Sequence, residues 1–165
     1  MKKTLRALIS VLLVLLAVSP IFAEDNSKED VVYSDEDVIV RLDGDTAGGT
    51  VTDSSFTALE TFDLNAYLVS EGVVGEKTTA DLGKTVNVEL TLTQTVPAVA
   101  SGYTREWKVF VTHGDGSSEV LTPTVSGQTV KFSFTKCSNF TVAYKDTKNA
   151  SGNTDYNVVN TADKD

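Results

Sequence analysis

The segment Val86-Asn87-Val88-Glu89-Leu90-Thr91-Leu92 decides the fold class, because its apolar and polar side chains alternate without a break. Side chains two residues apart project to the same face of a β-strand, whereas a helix with 3.6 residues per turn would spread these apolar side chains around its axis. The segment therefore predicts a strand with one buried face and one solvated face, as is typical of antiparallel sheet. We expect Leu90 to lie near the centre of the core.

The same alternation recurs along most of the chain, with glycine-containing turns at residues 114–117 and 126–128. The predicted apolar faces are Val38, Val40 and Leu42; Phe62, Leu64, Ala66 and Leu68; Trp107, Val109 and Val111; Val130, Phe132 and Phe134; and Phe140, Val142 and Tyr144. Another short strand is predicted at residues 119–121. The pattern predicts one all-β domain over residues 31–146, an antiparallel β-sandwich of the immunoglobulin-like (Ig-like) type, with a small β-barrel as the alternative.

Residues 1–23 have the order of a secretory signal peptide. Three basic side chains precede an apolar run over residues 7–18, and the small residue Ala23 ends the predicted cleavage region. Twelve residues make about 18 Å of helix, which is short of the ~30 Å hydrocarbon core of a membrane. We therefore predict a signal helix, cleavage after Ala23 and a secreted, extracellular protein, with retention at the cell surface left open.

The charge of the chain argues against two classes of partner. The sequence has 14 basic and 23 acidic residues, and three of the basic ones lie in the leader, so the mature chain has 11 basic against 23 acidic residues and a net charge of −12. Such a charge repels nucleic acid and anionic lipid. We predict no nucleic-acid partner and no stable membrane insertion once the leader is removed.

Cys137 is the only cysteine, so no disulfide can form within one chain. A secreted eukaryotic domain of this size is usually stapled by disulfides. Together with the short basic leader, this indicates a bacterial secretory route. The flanking segments 24–30 and 147–165 are polar, lack apolar periodicity and are predicted to be disordered.

An ordered set of short motifs lies in the second half of the chain: His113-Gly114-Asp115-Gly116, then Phe132, then Cys137-Ser138-Asn139-Phe140-Thr141-Val142-Ala143-Tyr144-Lys145-Asp146. With two strands further upstream, this set resembles a small C-terminal β module of secreted or cell-surface proteins of Gram-positive bacteria of the Clostridia type (Firmicutes). The resemblance covers roughly residues 60–146. It implies a β fold and no catalytic residues. Because the sequence shows no sorting signal of the kind that such proteins often carry, covalent attachment to the cell wall is not predicted.

The sequence offers few candidates for catalysis. His113 is the only histidine, which excludes a site built on several histidines, and a hydrogen-bonding role beside a turn is predicted for it. Cys137 would need a lowered pKa and a nearby base to act as a nucleophile. In the family that the chain resembles, its position holds a core aromatic residue, so burial is predicted instead. We therefore predict no catalytic residues and no enzymatic activity.

Two weaker patterns indicate ligands. Asp43 and Asp45 are candidate calcium ligands in a predicted loop, without the spacing of a twelve-residue calcium loop, and no other cofactor is predicted. Tyr67 and Phe110 lie opposite the apolar faces, so both rings are expected on the outside, as a platform for carbohydrate.

The preferred interpretation is a non-enzymatic surface or secreted module with a structural or adhesion-accessory role and with envelope proteins or glycans as partners. A carbohydrate- or calcium-binding module is the alternative.

Overall fold

The computed structural model describes residues 30–150. The predicted leader, its cleavage site after Ala23 and residues 151–165 lie outside this range. The strands are β1 (Asp30–Ser34), β2 (Val38–Ala47), β3 (Thr57–Ser70), β4 (Val73–Thr78), β5 (Val86–Thr91), β6 (Tyr103–Thr112), β7 (Ser118–Leu121), β8 (Thr124–Ser126), β9 (Thr129–Phe134) and β10 (Asn139–Lys148). Within the described range no helix is long and apolar enough to cross a membrane.

The strands form two antiparallel sheets. The larger sheet has seven strands in the order β1-β2-β3-β10-β6-β7, with β4 also paired to β3, and the smaller sheet has the order β5-β9-β8. The sheets are not closed into a barrel, so the barrel alternative is wrong, and the arrangement is consistent with the predicted β-sandwich. Neighbouring strands run in opposite directions, so consecutive pairs such as β3 and β4 or β8 and β9 need only short loops, whereas β10 lies between β3 and β6.

One apolar core lies between the two sheets, and it is built from the side chains that the alternation assigns to the inner faces. Its centre includes the rings of Phe132, Phe134 and Phe140, whose centroids are 4.7 to 6.1 Å apart. Leu90 is 3% exposed, which confirms its predicted burial. Trp107 is half-buried at the edge of this core and packs against Tyr144, with the ring centroids 5.7 Å apart.

The predicted apolar face of β3 is right as far as Ala66 and wrong at Leu68. Leu68 is 51% exposed, whereas Ala66 is fully buried. With 14 residues, β3 is much longer than the strands of the smaller sheet, which have three to six, so its end extends past the core. On the opposite face, Val69 is buried instead, in a small separate cluster with Ile39 and Val74.

The sequence pattern did not predict three of the strands or the end of the last strand. Strands β1, β4 and β8 are short and mostly exposed, so they lack a clean alternation of apolar and polar residues. At the other end of the domain, β10 continues to Lys148, which pairs with Tyr103. Residues 147 and 148 are therefore part of the sheet, and their assignment to a disordered tail is wrong.

Candidate functional site

A cavity of about 580 Å³ lies where the larger sheet forks. Strand β3 pairs with β10 as far as Asp63 and with β4 from Ala66 onward, so the end of β4 and the start of β10 lie end to end along the same edge of β3. The walls of the cavity come from β3, from the ends of β4 and β6, and from the connection between β9 and β10. Volumes of this size are typical of small-molecule sites.

His113 lies in one wall of this cavity, directly after β6, and is 8% exposed. Its Nδ1 atom is hydrogen-bonded to the hydroxyl of Ser138, in the connection between β9 and β10. Its Nε2 atom is 3.1 Å from Oε1 of Glu119 in β7. The imidazole thus connects three segments of the chain, which confirms the predicted hydrogen-bonding role beside the turn.

Ser138, His113 and Glu119 are the residue types of a catalytic triad, but the serine hydroxyl has a second acceptor within reach. In a triad the serine hydroxyl donates its proton to the histidine. Here the Ser138 hydroxyl donates to the carbonyl oxygen of Cys137 at 2.6 Å. The hydroxyl has a single proton, so it donates either to that carbonyl or to Nδ1 of the imidazole, and the tautomer of His113 decides between the two acceptors. While the hydroxyl donates to the carbonyl of Cys137, His113 does not accept the serine proton.

Cys137 also borders the cavity but belongs to the core. It is 6% exposed, which confirms its predicted burial. Burial raises the pKa of the thiol to about 12; the nearby carboxylate of Asp63 adds to the shift and Lys77 opposes it. Only the thiolate is nucleophilic, so burial and the raised pKa disfavour reaction of this cysteine at neutral pH.

Asp63, Asn65 and Lys77 line another wall, on the outer face of the larger sheet. Lys77 belongs to the same face as the two β3 residues because it pairs with Tyr67, two positions further along β3 than Asn65. Asn65 is buried and donates a hydrogen bond to Oδ2 of Asp43 at 2.9 Å. Burial raises the pKa of the half-buried Asp63, and the neighbouring Asp43 carboxylate raises it further, while Lys77 lowers it.

The two predicted calcium ligands lie on opposite faces of β2. Asp43 is the extra residue of a β-bulge and contacts Asn65 on the outer face. Asp45 lies on the inner face, where its carboxyl group is hydrogen-bonded to that of Glu60. The two carboxylates therefore do not converge on one ion. In the described part of the chain, residues 30–150, no three side chains of His, Cys, Asp or Glu are grouped to hold a metal.

Phe110 is 2% exposed, so the prediction of an exposed ring is wrong. The residues after β2 fold back over the outer face of the larger sheet and place Phe56 on Phe110, edge to face, with the centroids 5.6 Å apart. The alternation assigns Phe110 to the outer face correctly. It does not reveal that a loop from another part of the chain covers that face.

Tyr67, the other aromatic residue predicted to bind carbohydrate, is half-buried, and its ring lies 5.2 Å from the guanidinium carbon of Arg41. Thr141 in β10 pairs with Thr61 in β3 on one side and with Phe110 in β6 on the other. Phe110 is therefore level with Thr61, which lies six residues before Tyr67. Six residues of strand span about 20 Å. The two rings therefore do not form one platform.

Three informative residues were not singled out in the sequence: Asp63 and Ser138, which line the cavity, and Glu119, which contacts His113 in its wall. Asp63 alternates with buried neighbours, and that pattern predicts a solvated side chain. Glu119 and Ser138 are separated by 19 positions, and only strand pairing brings both to His113. A lone histidine beside a glycine turn is the one local signal that points toward this region.

Comparisons with protein-family models, with curated proteins and with solved structures give no significant match to this chain. The resemblance to a Gram-positive surface module therefore remains a prediction from the motifs themselves.

Proposed function

We propose that the protein is an exported, non-enzymatic, Ig-like β-sandwich module of a Gram-positive bacterial secreted or cell-surface protein, with a structural or adhesion-accessory role. Three features support the proposal: the leader at residues 1–23, the motif resemblance over residues 60–146, and the two-sheet architecture. On this proposal the module acts by folding and by contact. Envelope proteins or glycans are its partners.

The observation that carries the proposal is that the reactive side chains serve as cross-links within the sheets. His113 joins the end of β6 to β7 and to the connection after β9, and Ser138 Oγ is hydrogen-bonded both to His113 and to a backbone carbonyl. Cys137 is buried with a raised pKa. An active site needs titratable groups that converge on a substrate, so this use of the groups favours a mechanical role over catalysis.

Export is tested by expressing the full chain in a Gram-positive host and separating medium, wall and membrane fractions. We expect a mature protein that begins at Glu24, in the medium or wall fraction. The matched control is a chain without residues 2–23, which should stay inside the cell. A chain that keeps its leader in the membrane fraction, or that remains in the cytoplasm with its leader present, contradicts the proposal.

The absence of catalysis is tested with a fluorophosphonate probe, which labels serine residues that a base activates. We expect no more labelling of the wild-type protein than of the Ser138→Ala variant. Labelling that is lost on this substitution would contradict the non-enzymatic part of the proposal.

The contact role is tested by binding the mature protein, tagged with a fluorophore, to isolated envelopes. Excess untagged protein should compete for the same binding. Envelopes that retain no protein contradict that role.

A further inference from the structure

Asp63 and Lys77 carry opposite charges in the walls of one cavity, yet within residues 30–150 neither side chain forms a hydrogen bond or an ion pair. They are near enough for the charge of Lys77 to lower the pKa of Asp63. The other lysine of the cavity behaves differently, because Lys136 Nζ is 2.9 Å from Oδ2 of Asp115. The cavity thus presents one carboxylate and one ammonium group that are free to bind a ligand.

The surroundings of Asp63 favour a cationic group. Asp63 is half-buried, and a second carboxylate, that of Asp43, lies close enough to raise its pKa. A partly desolvated carboxylate without a hydrogen bond is unfavourable, and an ammonium group supplies both N–H donors and the compensating charge. The ammonium group of Lys77 likewise favours an anionic group of a ligand.

We propose that this cavity binds a small zwitterion of the α-amino acid class, with its ammonium group on Asp63 and its carboxylate on Lys77. An α-amino acid carries both charges on one carbon, which suits two opposite charges that line one cavity without pairing with each other. Leu64 and Cys137 also border the cavity, with side chains that are buried in the core. No Phe, Tyr or Trp lines it, so it lacks the ring surface on which sugars stack. The inference goes beyond the proposed function and does not depend on it.

The ligand series uses the wild-type mature protein, so the result does not depend on the folding of any variant. Binding of alanine is compared, by calorimetry and by thermal shift, with N-acetylalanine, which lacks the ammonium group, and with alanine amide, which lacks the carboxylate. We expect alanine to bind and each analogue to bind at least about tenfold more weakly, since each loses one charged contact. Glycine and serine extend the series to other small side chains.

Variants then assign the two contacts. Asp63→Asn and Lys77→Gln should each weaken alanine binding about tenfold or more. The matched control is Lys131→Gln, because Lys131 lies on the smaller sheet, where it pairs with Glu89 at 2.9 Å. This control should bind alanine like the wild type.

Four outcomes overturn the inference. They are no binding of alanine, glycine or serine; equal binding of alanine and both analogues; equal loss of affinity in the control variant; and binding of calcium or glucose in place of the zwitterions. The localisation and labelling results have no bearing on these measurements, so failure of the ligand site and failure of the proposed function are distinguishable.

Discussion

The buried carboxylate of Glu60 accepts hydrogen bonds from both the backbone N–H and the hydroxyl of Thr93, at 2.9 and 2.8 Å. Glu60 is fully buried in β3 of the larger sheet, and Thr93 follows β5 of the smaller sheet. The N–H of Gln94 adds a further hydrogen bond at 3.2 Å. The pair therefore ties the two sheets together at one end of the core.

Replacing Glu60 by alanine should destabilise the domain by about 3 kcal/mol, because the N–H groups of Thr93 and Gln94 lose their acceptor. Glu60→Gln keeps one acceptor oxygen for these N–H groups and should cost far less. Urea unfolding of the two variants measures the difference. Equal stabilities of Glu60→Ala and wild type would show that water replaces the carboxylate without cost.

Glu60 also makes a testable contribution to the pH dependence of stability. Burial raises its pKa above the ordinary value of 4.5, and the hydrogen bond with Asp45 contributes in the same direction. The protonated form is therefore favoured in the folded state, so its stabilising contribution is complete below about pH 4.5 and is lost as the pH rises through the raised pKa. Relative to Glu60→Gln, which does not titrate, the wild type should lose stability from pH 4.5 toward neutrality. A constant difference in unfolding free energy across this range would refute the expectation.

The adjacent residues Leu68 and Val69 provide a test of the end of β3. Leu68 is 51% exposed and Val69 is 8% exposed. Leu68→Ser should leave the unfolding free energy within about 0.5 kcal/mol of the wild type. Val69→Ser should cost about 1–2 kcal/mol, since it removes apolar contacts with Ile39 and Val74 and buries a hydroxyl. The reverse order of effects in thermal or urea unfolding would contradict the observed packing.

Gly49 lies where the chain after β2 turns back over the outer face. Its φ is +136°, and a Cβ at this position would collide with the side chains of Thr61 and Thr141. Gly49→Ala should therefore cost about 2 kcal/mol or more. Gly44→Ala is the control, because nothing lies within 4 Å of its Cβ position, and it should be nearly neutral. If both variants melt at the same temperature, the loop does not pack on these threonines.

Asp35 connects the turn after β1 to Lys84, whose Nζ is 2.8 Å from Asp35 Oδ2. Burial alone would raise the pKa of Asp35, but hydrogen bonds from Lys84, Tyr33 and the N–H groups of Asp37 and Val38 outweigh it and hold the pKa at about 2. The stabilisation is therefore present above pH 3.8 and is lost as the pH falls toward 2.

We expect Asp35→Asn to be less stable than the wild type by about 1–2 kcal/mol near neutral pH, with the difference shrinking as the pH falls from 4 toward 2. Unfolding of both proteins by urea at several pH values measures this change. Asp37→Asn is the matched control, because Asp37 also contacts Lys84, at 3.0 Å, but is more exposed. A difference between wild type and Asp35→Asn that does not vary with pH would contradict the assignment.

The inner faces of the central strands were predictable because they depend on a local property. In β5 every apolar residue alternates with a polar one, and the observed burial follows that alternation from Val86 to Thr91. The edge strands were less predictable, since β4 is mostly exposed and has no apolar face for the pattern to reveal. The cavity was not predictable, because its walls come from segments that are far apart in the sequence.

By itself the sequence determined that residues 86–91 and 130–134 are strands with one buried face, since the period of two is a property of the backbone. Only the tertiary structure decided which outer faces are covered and which polar side chains are buried. Phe110 is buried because the chain after β2 returns over it, and Glu60 is buried because the segment after β5 supplies its hydrogen bonds. Asp63 and Lys77 share a cavity because β10 and β4 meet at one edge of β3. Each of these contacts joins distant segments, and alternation within one strand carries no information about them.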